Sequence, residues 1–436
     1  MSKRVKPRTP RGFGEYLPQD QILFNKMFET IRSTYERFGF TPIETPAVEL
    51  TEVLLAKGGG ETDKQVYSLA KEGEQLSLHF DLTVPLARYV SEHYDKLSFP
   101  FRRYQMQKVW RGERSQAGRF REFYQCDIDV IGSENLLVDA EIPSVIYNVF
   151  LALGLPDFTI KVNNRKILNG YFEYLGLSEV TKSVLTAIDK LEKQGKCAVF
   201  KDLQSLGITE STIEKVLEFT SLKGADNDIL AALKDLEVQN KSFKDGVQEL
   251  SDLCHYISLF GVPETNYEID LAIARGLDYY TATVYETVLN EYPGIGSVCS
   301  GGRYDNLASF YTDKKLPGVG ISIGLSRLFF KLREAEIIKP ERATPSRVLI
   351  ATLSSDFLPN ALAIAKQLRE RGINTEVSFE TGKIGKQMKY ANKLNIPFVF
   401  ILGEEEVKSS RISAKRMASG EQVKVTFDEA IEFMDR

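Results

Sequence analysis

Two stretches of alternating sequence, RYQMQKVWR (103–111) and RFREFYQCDID (119–129), are joined by the cation-rich loop GERSQAGR (112–119). A period of two sets Arg103, Gln105, Gln107 and Arg111 on one side of the first strand. It sets Arg121, Phe123, Gln125, Asp127 and Asp129 on one side of the second. Such a pattern demands an antiparallel hairpin whose polar face is either wet or folded into a site. The upstream run LSLHFDLT (76–83) repeats it, with Ser77, His79, Asp81 and Thr83 set against Leu76, Leu78, Phe80 and Leu82. One strand of this kind argues for a solvated face. Three of them, mixing carboxylates with guanidinium groups, argue for a pocket that takes an anion and an ammonium group. His79 by itself reads as a structural residue.

The rest of the chain sets the frame. At 436 residues it exceeds one ordinary core, so several domains are expected. Phe24, Phe28, Ile31, Tyr35 and Phe38 recur at helical spacing over 20–38, with Asp20 as the expected N-cap and Gly39 as the stop. The prolines of TPIETPAVE (41–49) make that segment extended. From LSLHFDLTVP to DIDVIG the expectation is antiparallel sheet, followed by helix over 134–154. Between 175 and 256 every segment has an amphipathic helical pattern, with no arginine and more acidic residues than lysines, and sheet-like sequence resumes at YEIDLAI (267–273). This block reads as a helical insertion. After KPERATP (339–345), strand and helix alternate, which signals a small βαβ domain. The expected divisions are 1–174, 175–256, 257–340 and 345–436.

Several functions are disfavoured. The cysteines at 126, 197, 254 and 299 form no close pair and only three histidines exist, so a structural zinc or a disulfide framework is not expected and a reducing cytoplasm fits. No apolar run reaches the length of a membrane span. A net charge of −4 excludes a basic coat, though not local basic faces. The glycines of SGGRYDNL (300–307) and GVGISIG (318–324) permit close backbone approach, yet neither has dinucleotide-loop or P-loop spacing. GVGISIGLSRLFFKL (318–332) reads as a strand running into a helix with Arg327 in its first turn.

These segments resemble the class II aminoacyl-tRNA synthetases. FGFTPIETPAVE (38–49), with Pro46, is similar to their motif 1, the 101–132 hairpin to motif 2, and GVGISIGLSRLF to motif 3. ARGLDYYTATVYE (274–286), SGGRYDNL and FDLTVPLARY (80–89) resemble signatures of the histidyl-tRNA synthetases. The order is right, and the resemblance extends over nearly the whole chain.

The resemblance implies an α+β fold. An antiparallel-sheet catalytic domain would carry the helical insertion and be followed by a C-terminal α/β anticodon-binding domain. It implies that L-histidine is activated by magnesium-bound ATP and ligated to histidine tRNA, in the cytoplasm, by a homodimer with no prosthetic group, no protein-held metal and no membrane contact. Arg111 would contact the α-phosphate, Glu113 the adenine amino group, Phe123 one face of the adenine, and Arg327 the γ-phosphate and the other face. Asp81, Thr83 and Gln125 would hold the α-ammonium of histidine. Asp129 and Tyr280 would read its imidazole, with Tyr279 beside them. Arg275 would lie against the α-phosphate opposite Arg111. Arg114 and Gln116 of the hairpin loop would meet the tRNA. Lys383, Lys386 and Lys389, which share a helix face with Lys393, would meet its anticodon arm, with Arg411, Lys415 and Arg416 adding cations nearby. The competing expectation is a paralogue that regulates ATP phosphoribosyltransferase, a class that lacks the C-terminal domain and the phosphate-binding arginines.

Overall fold

The apolar repeat after Leu17 forms helix α1 (Pro18–Arg37). Asp20 lies inside its first turn rather than at the cap, where its charge still favours the positive end of the helix dipole. Gly39, at φ +76°, turns the chain out of the helix. Extended segments β1 (Thr41–Pro42) and β2 (Val48–Leu50) follow, then a turn of helix, α2 (Thr51–Leu54), and strands β3 (Tyr67–Leu69) and β4 (Leu76–Leu78). The computed structural model describes residues 4–56, 65–70, 73–113, 118–273 and 280–436.

The alternation of LSLHFDLT does not persist as a strand. β4 ends at Leu78, and Thr83 is already the first residue of helix α3 (Thr83–Glu92). Pro85 is compatible with this, because proline fits the first turn, where no intrahelical donor is required. The hairpin is as expected: β5 (Phe101–Trp110) pairs antiparallel with β6 (Glu122–Ile131), placing Arg103 opposite Asp129 and Gln107 opposite Gln125.

Helix α4 (Leu136–Ala152), capped by the Asn135 side chain, leads to β7 (Phe158–Asn164) and α5 (Arg165–Tyr174). The helical block comprises α6 (Thr181–Ile188), α7 (Leu191–Gln194), α8 (Lys196–Ser205), α9 (Glu210–Thr220), α10 (Asp226–Asp235) and α11 (Lys241–Leu259). Its last helix runs past 256 and packs on α4 and α5. Gly170 and Gly246 allow the close approach to α5: a Cβ on Gly170 would lie 2.5 Å from the Phe243 nitrogen, and one on Gly246 would lie 2.9 Å from that of Ile167. Strands β8 (Tyr267–Ile269), β9 (Thr283–Leu289), β10 (Cys299–Tyr304) and β11 (Gly318–Ile323) and helix α12 (Leu325–Glu334) complete the region.

The main sheet has the order β1-β5-β6-β11-β10-β9-β7-β8, antiparallel except at β1–β5 and β7–β8. β6 is an inner strand of this sheet, flanked along its two edges by β5 and β11. The polar face of the β5–β6 hairpin is enclosed, in line with the pocket reading: Arg103, Gln125, Asp127 and Asp129 are all buried.

The C-terminal region is β12 (Val348–Thr352), α13 (Leu358–Glu370), β13 (Thr375–Thr381), α14 (Ile384–Lys393), β14 (Phe398–Leu402), α15 (Glu404–Ser409), β15 (Ile412–Arg416), β16 (Gln422–Val425) and α16 (Phe427–Asp435). β13, β12 and β14 run parallel, as the βαβ pattern requires, and β15 and β16 add an antiparallel edge. Chain contacts divide the protein into two units, Met1–Gly14 with Phe28–Ala335 and Glu15–Met27 with Glu336–Arg436.

Candidate active site

Along β6 the side chains of Phe123, Gln125, Asp127 and Asp129 step out of one face over about 20 Å. They floor a cleft of about 380 Å³. β11 pairs with β6 so that Ser322 stands opposite Asp127 and Gly320 opposite Asp129. Every described candidate of the catalytic region lines this cleft: Asp81, Thr83, Arg111, Glu113, Phe123, Gln125, Asp129, Tyr280 and Arg327. Arg114, Gln116, Arg275 and Tyr279 lie outside the described residues.

One end is acidic. Arg103 is fully buried and its Nη2 lies 2.6 Å from Asp129 Oδ2. Tyr304 donates its hydroxyl to Asp129 Oδ1 at 2.5 Å. Asp81 Oδ1 accepts from the Val84 amide at 3.1 Å in the first turn of α3. Burial pushes these carboxyl groups up, Asp81 and Asp129 to about 6 and Asp127 to about 7, while Arg103 pulls all three back down. Among the described residues, Asp81 Oδ2, Gln125 Oε1 and Asp127 Oδ1 are buried acceptors with no partner. Buried acceptors left unmatched inside a cleft mark the place of a donor.

Two glycines make room here. A Cβ on Gly320 would lie 2.2 Å from Asp129 Oδ1, and one on Gly302 would lie 3.0 Å from the Tyr280 ring. Side chains on these strands would displace the two residues expected to read a ring.

The other end is cationic. Arg111 is held by its Nε donating to the Phe80 carbonyl at 2.9 Å, with its guanidinium 5.3 Å from the Phe123 ring centroid. Arg327, in the first turn of α12, donates from Nη2 to the Ile295 carbonyl at 2.9 Å. Backbone anchoring fixes both cations in advance of any ligand. Glu113 lies 3.7 Å from Arg119 at the mouth. An acidic floor, a flat ring and anchored guanidinium groups together accommodate an amino acid beside a nucleoside polyphosphate.

A family model described as "Histidyl-tRNA synthetase" matches residues 12–328, and one described as "Anticodon binding domain" matches residues 347–436. The chain belongs to the histidyl-tRNA synthetase family. It is 56% identical over 433 residues to a histidine–tRNA ligase of Clostridium tetani, covering 99% of this chain and 98% of the relative. It is 50% identical over 447 residues to a histidine–tRNA ligase of Stenotrophomonas maltophilia, covering 97% and 96%. The crystal structure of histidyl-tRNA synthetase from Nostoc sp. PCC 7120 superposes with a TM-score of 0.92 at 43% identity, over 99% of this chain and all of that one. A Bacillus halodurans structure titled "ATP phosphoribosyltransferase regulatory subunit/histidyl-tRNA synthetase" superposes at 0.73 over 88% of this chain and 97% of that one; at 20% identity this likeness shows a shared fold only.

Sequence reasoning placed Arg103 and Asp127 on the right face but gave neither a role, and it overlooked Tyr304 and Ser322. The register of β11 on β6 brings in Ser322 and that of β10 on β11 brings in Tyr304, and only the glycines of SGGRYDNL and GVGISIG hinted at either. His79 is buried, with Nε2 2.7 Å from the Lys108 carbonyl oxygen.

In the C-terminal unit Lys383, Lys386, Lys389 and Lys393 are all exposed, while Gln387 and Ala391 of α14 face the sheet. Lys383 precedes the helix rather than belonging to it, and Lys386 Nζ is 3.7 Å from Glu380. Arg416 is not a free surface cation. Its guanidinium lies 5.0 Å from the Phe398 and Phe433 rings and donates to the Phe433 carbonyl at 2.7 Å.

Proposed function

We propose that the protein ligates L-histidine to the 3′ end of histidine tRNA through a histidyl-adenylate made from ATP. The observation that carries this reading is the single cleft in which buried carboxylates at one end face anchored guanidinium groups at the other. Family membership supplies the identity of the amino acid.

In this reading the α-ammonium of histidine rests on Asp81, Thr83 and Gln125, and the imidazole meets Asp129 and Tyr280. Adenine stacks on Phe123, with Glu113 at its amino group. Arg111 takes the α-phosphate, Arg275 its opposite side, and Arg327 the γ-phosphate. The carboxylate of histidine attacks the α-phosphorus in line and the bond to pyrophosphate breaks. Charge grows on the non-bridging oxygens, where preorganised guanidinium groups act most strongly. The terminal 3′-hydroxyl of the tRNA then attacks the adenylate carbonyl and releases AMP. Both steps rest on positioning and charge.

Magnesium belongs to this proposal as the counter-ion that arrives on ATP; among the described residues no group of three or more His, Cys, Asp or Glu side chains is placed to hold an ion. A pocket that hydrogen-bonds the imidazole leaves its own polar groups unpaired with any isostere, which permits discrimination of about 10⁴–10⁵. Residues 345–436, with the exposed lysines of α14, are assigned to the anticodon arm, and Arg114 and Gln116 to the acceptor end.

The segment 38–49 is assigned to a two-fold dimer interface. A monomer mass by light scattering at micromolar concentration would remove that assignment. No described helix is long and apolar enough to cross a membrane, and a cytoplasmic location is part of the proposal. The regulatory-paralogue reading is disfavoured by the anticodon-binding match over residues 347–436 and by the intact Arg111 and Arg327. Histidine-dependent exchange of pyrophosphate into ATP tests the whole: exchange with histidine alone among the amino acids is expected, and no exchange from folded, ATP-binding protein would overturn it.

A further inference from the structure

We infer that Asp127 is a direct ligand of the substrate's α-ammonium group, completing a three-acceptor seat with Asp81 and Gln125. This rests on the reading that the cleft binds histidine. Asp127 is 2% exposed and its Oδ1 has no partner among the described residues. The neighbouring atoms are already committed. Gln125 Nε2 donates to Ser322 Oγ at 2.6 Å, which leaves Gln125 Oε1 as its free acceptor. Ser322 stands opposite Asp127 across the β6–β11 ladder. The Val84 amide occupies Asp81 Oδ1 and leaves Oδ2.

Gln125 and Asp127 project from the same face of β6 two residues apart, about 7 Å along the strand, and both line the cleft with Asp81. A primary ammonium carries three N–H donors on one atom, whereas an imidazole presents at most two, on opposite sides of a ring. Charge points the same way. Arg103 pairs with Asp129, and Tyr304 donates to it, so Asp129 is already compensated. Among the described residues Asp81 and Asp127 have no such pairing, and a substrate cation supplies it.

The test uses the full-length protein and two ligands. Histidinol keeps the ammonium and the ring; imidazole-propionate keeps the ring and lacks the ammonium. Asp127→Asn, which preserves shape, is expected to weaken histidinol binding about ten- to hundredfold, the loss of one charge-assisted hydrogen bond. Imidazole-propionate binding should be unchanged, and the histidine KM in pyrophosphate exchange should rise more than kcat falls. Ser322→Ala, which removes the hydroxyl that holds the Gln125 head and stands opposite Asp127, is expected to cause a smaller loss with the same ligand selectivity, and it stands in if Asp127→Asn does not fold. Equal weakening of both ligands would make Asp127 a shaping residue and overturn the inference, as would unaltered histidinol binding. Wild-type protein that bound neither ligand would instead refute the functional reading beneath it.

Discussion

Replacing Arg103 by methionine should destabilise the protein in a way that depends on pH. In the wild type, burial lifts the Asp129 carboxyl from 3.8 to about 6 even with Arg103 at 2.6 Å. A raised carboxyl favours folding most at low pH, and that contribution is lost as pH climbs from the unfolded value through the folded one. Holding Asp129 ionised therefore costs about 3 kcal/mol once the pH exceeds about 6. Without the guanidinium the carboxyl stays protonated to higher pH, and at about pH 8 a neutral Asp costs about 6 kcal/mol relative to the ionised unfolded residue. The difference is a loss of about 3 kcal/mol at about pH 8 and close to none at about pH 5.5, at the lower end of the range for breaking a buried pair. Asp127 and Asp81, which also feel Arg103, add to it. Urea unfolding followed by fluorescence measures this cleanly. The single tryptophan, Trp110, ends β5 and is tied to Glu122, so it reports the catalytic unit alone. Adding Asp129→Asn should remove most of the pH-dependent part. An equal loss at both pH values would show that Arg103 acts through packing and that the charge argument is wrong.

Gly320→Ala would put a methyl group 2.2 Å from Asp129 Oδ1 and 2.3 Å from the Ile128 carbonyl, and the displaced carboxylate should lower kcat/KM for histidine by about 10²-fold in pyrophosphate exchange. Arg275→Ala should reduce kcat of the same exchange by about 10²–10³ with a much smaller change in histidine KM; a KM effect with kcat preserved would assign it to ground-state binding. Lys386→Glu with Lys389→Glu should weaken tRNA binding and flatten its salt dependence by about 0.7–0.9 in log–log slope per lost contact, while tRNA-independent exchange stays at the wild-type level.

The β5–β6 hairpin was readable because period-two alternation and a turn are local properties. So were α1, the helical block and the βαβ unit, each announced by its own periodicity. Whether the polar face of β6 was wet could not be read locally, because the groups that enclose the cleft with it, Asp81 and Thr83 upstream and Tyr280, Tyr304 and Ser322 downstream, come from distant sequence. Arg103 and Arg111 occupy equivalent odd positions, yet one is a fully buried counter-ion and the other lines the cleft. Only the third dimension separates them. Thr83 was misplaced because a strand entering a helix at a proline-containing turn keeps its alternation for a few residues past its last ladder bond. Arg416 looked like a recognition cation, but two phenylalanine rings from other elements claim it.

The pairing of β6 with β11 also governs how the chain can be made. β5 and β6 leave the ribosome roughly 190 residues before β11 does, and at about 5–20 residues per second that interval lasts about 10–40 s. Throughout it the edge of β6 that will receive β11 has no native neighbour, and the three carboxylates have an incomplete enclosure. The helical block is synthesised in the same interval, so α11 can pack against α4 and α5 before the central sheet closes. An unfinished sheet held open for that long invites pairing with another nascent chain. Translation pauses or holding chaperones acting between Gly132 and Pro317 thus bear on the yield of this enzyme more than those acting on its last hundred residues, which close around a separate core.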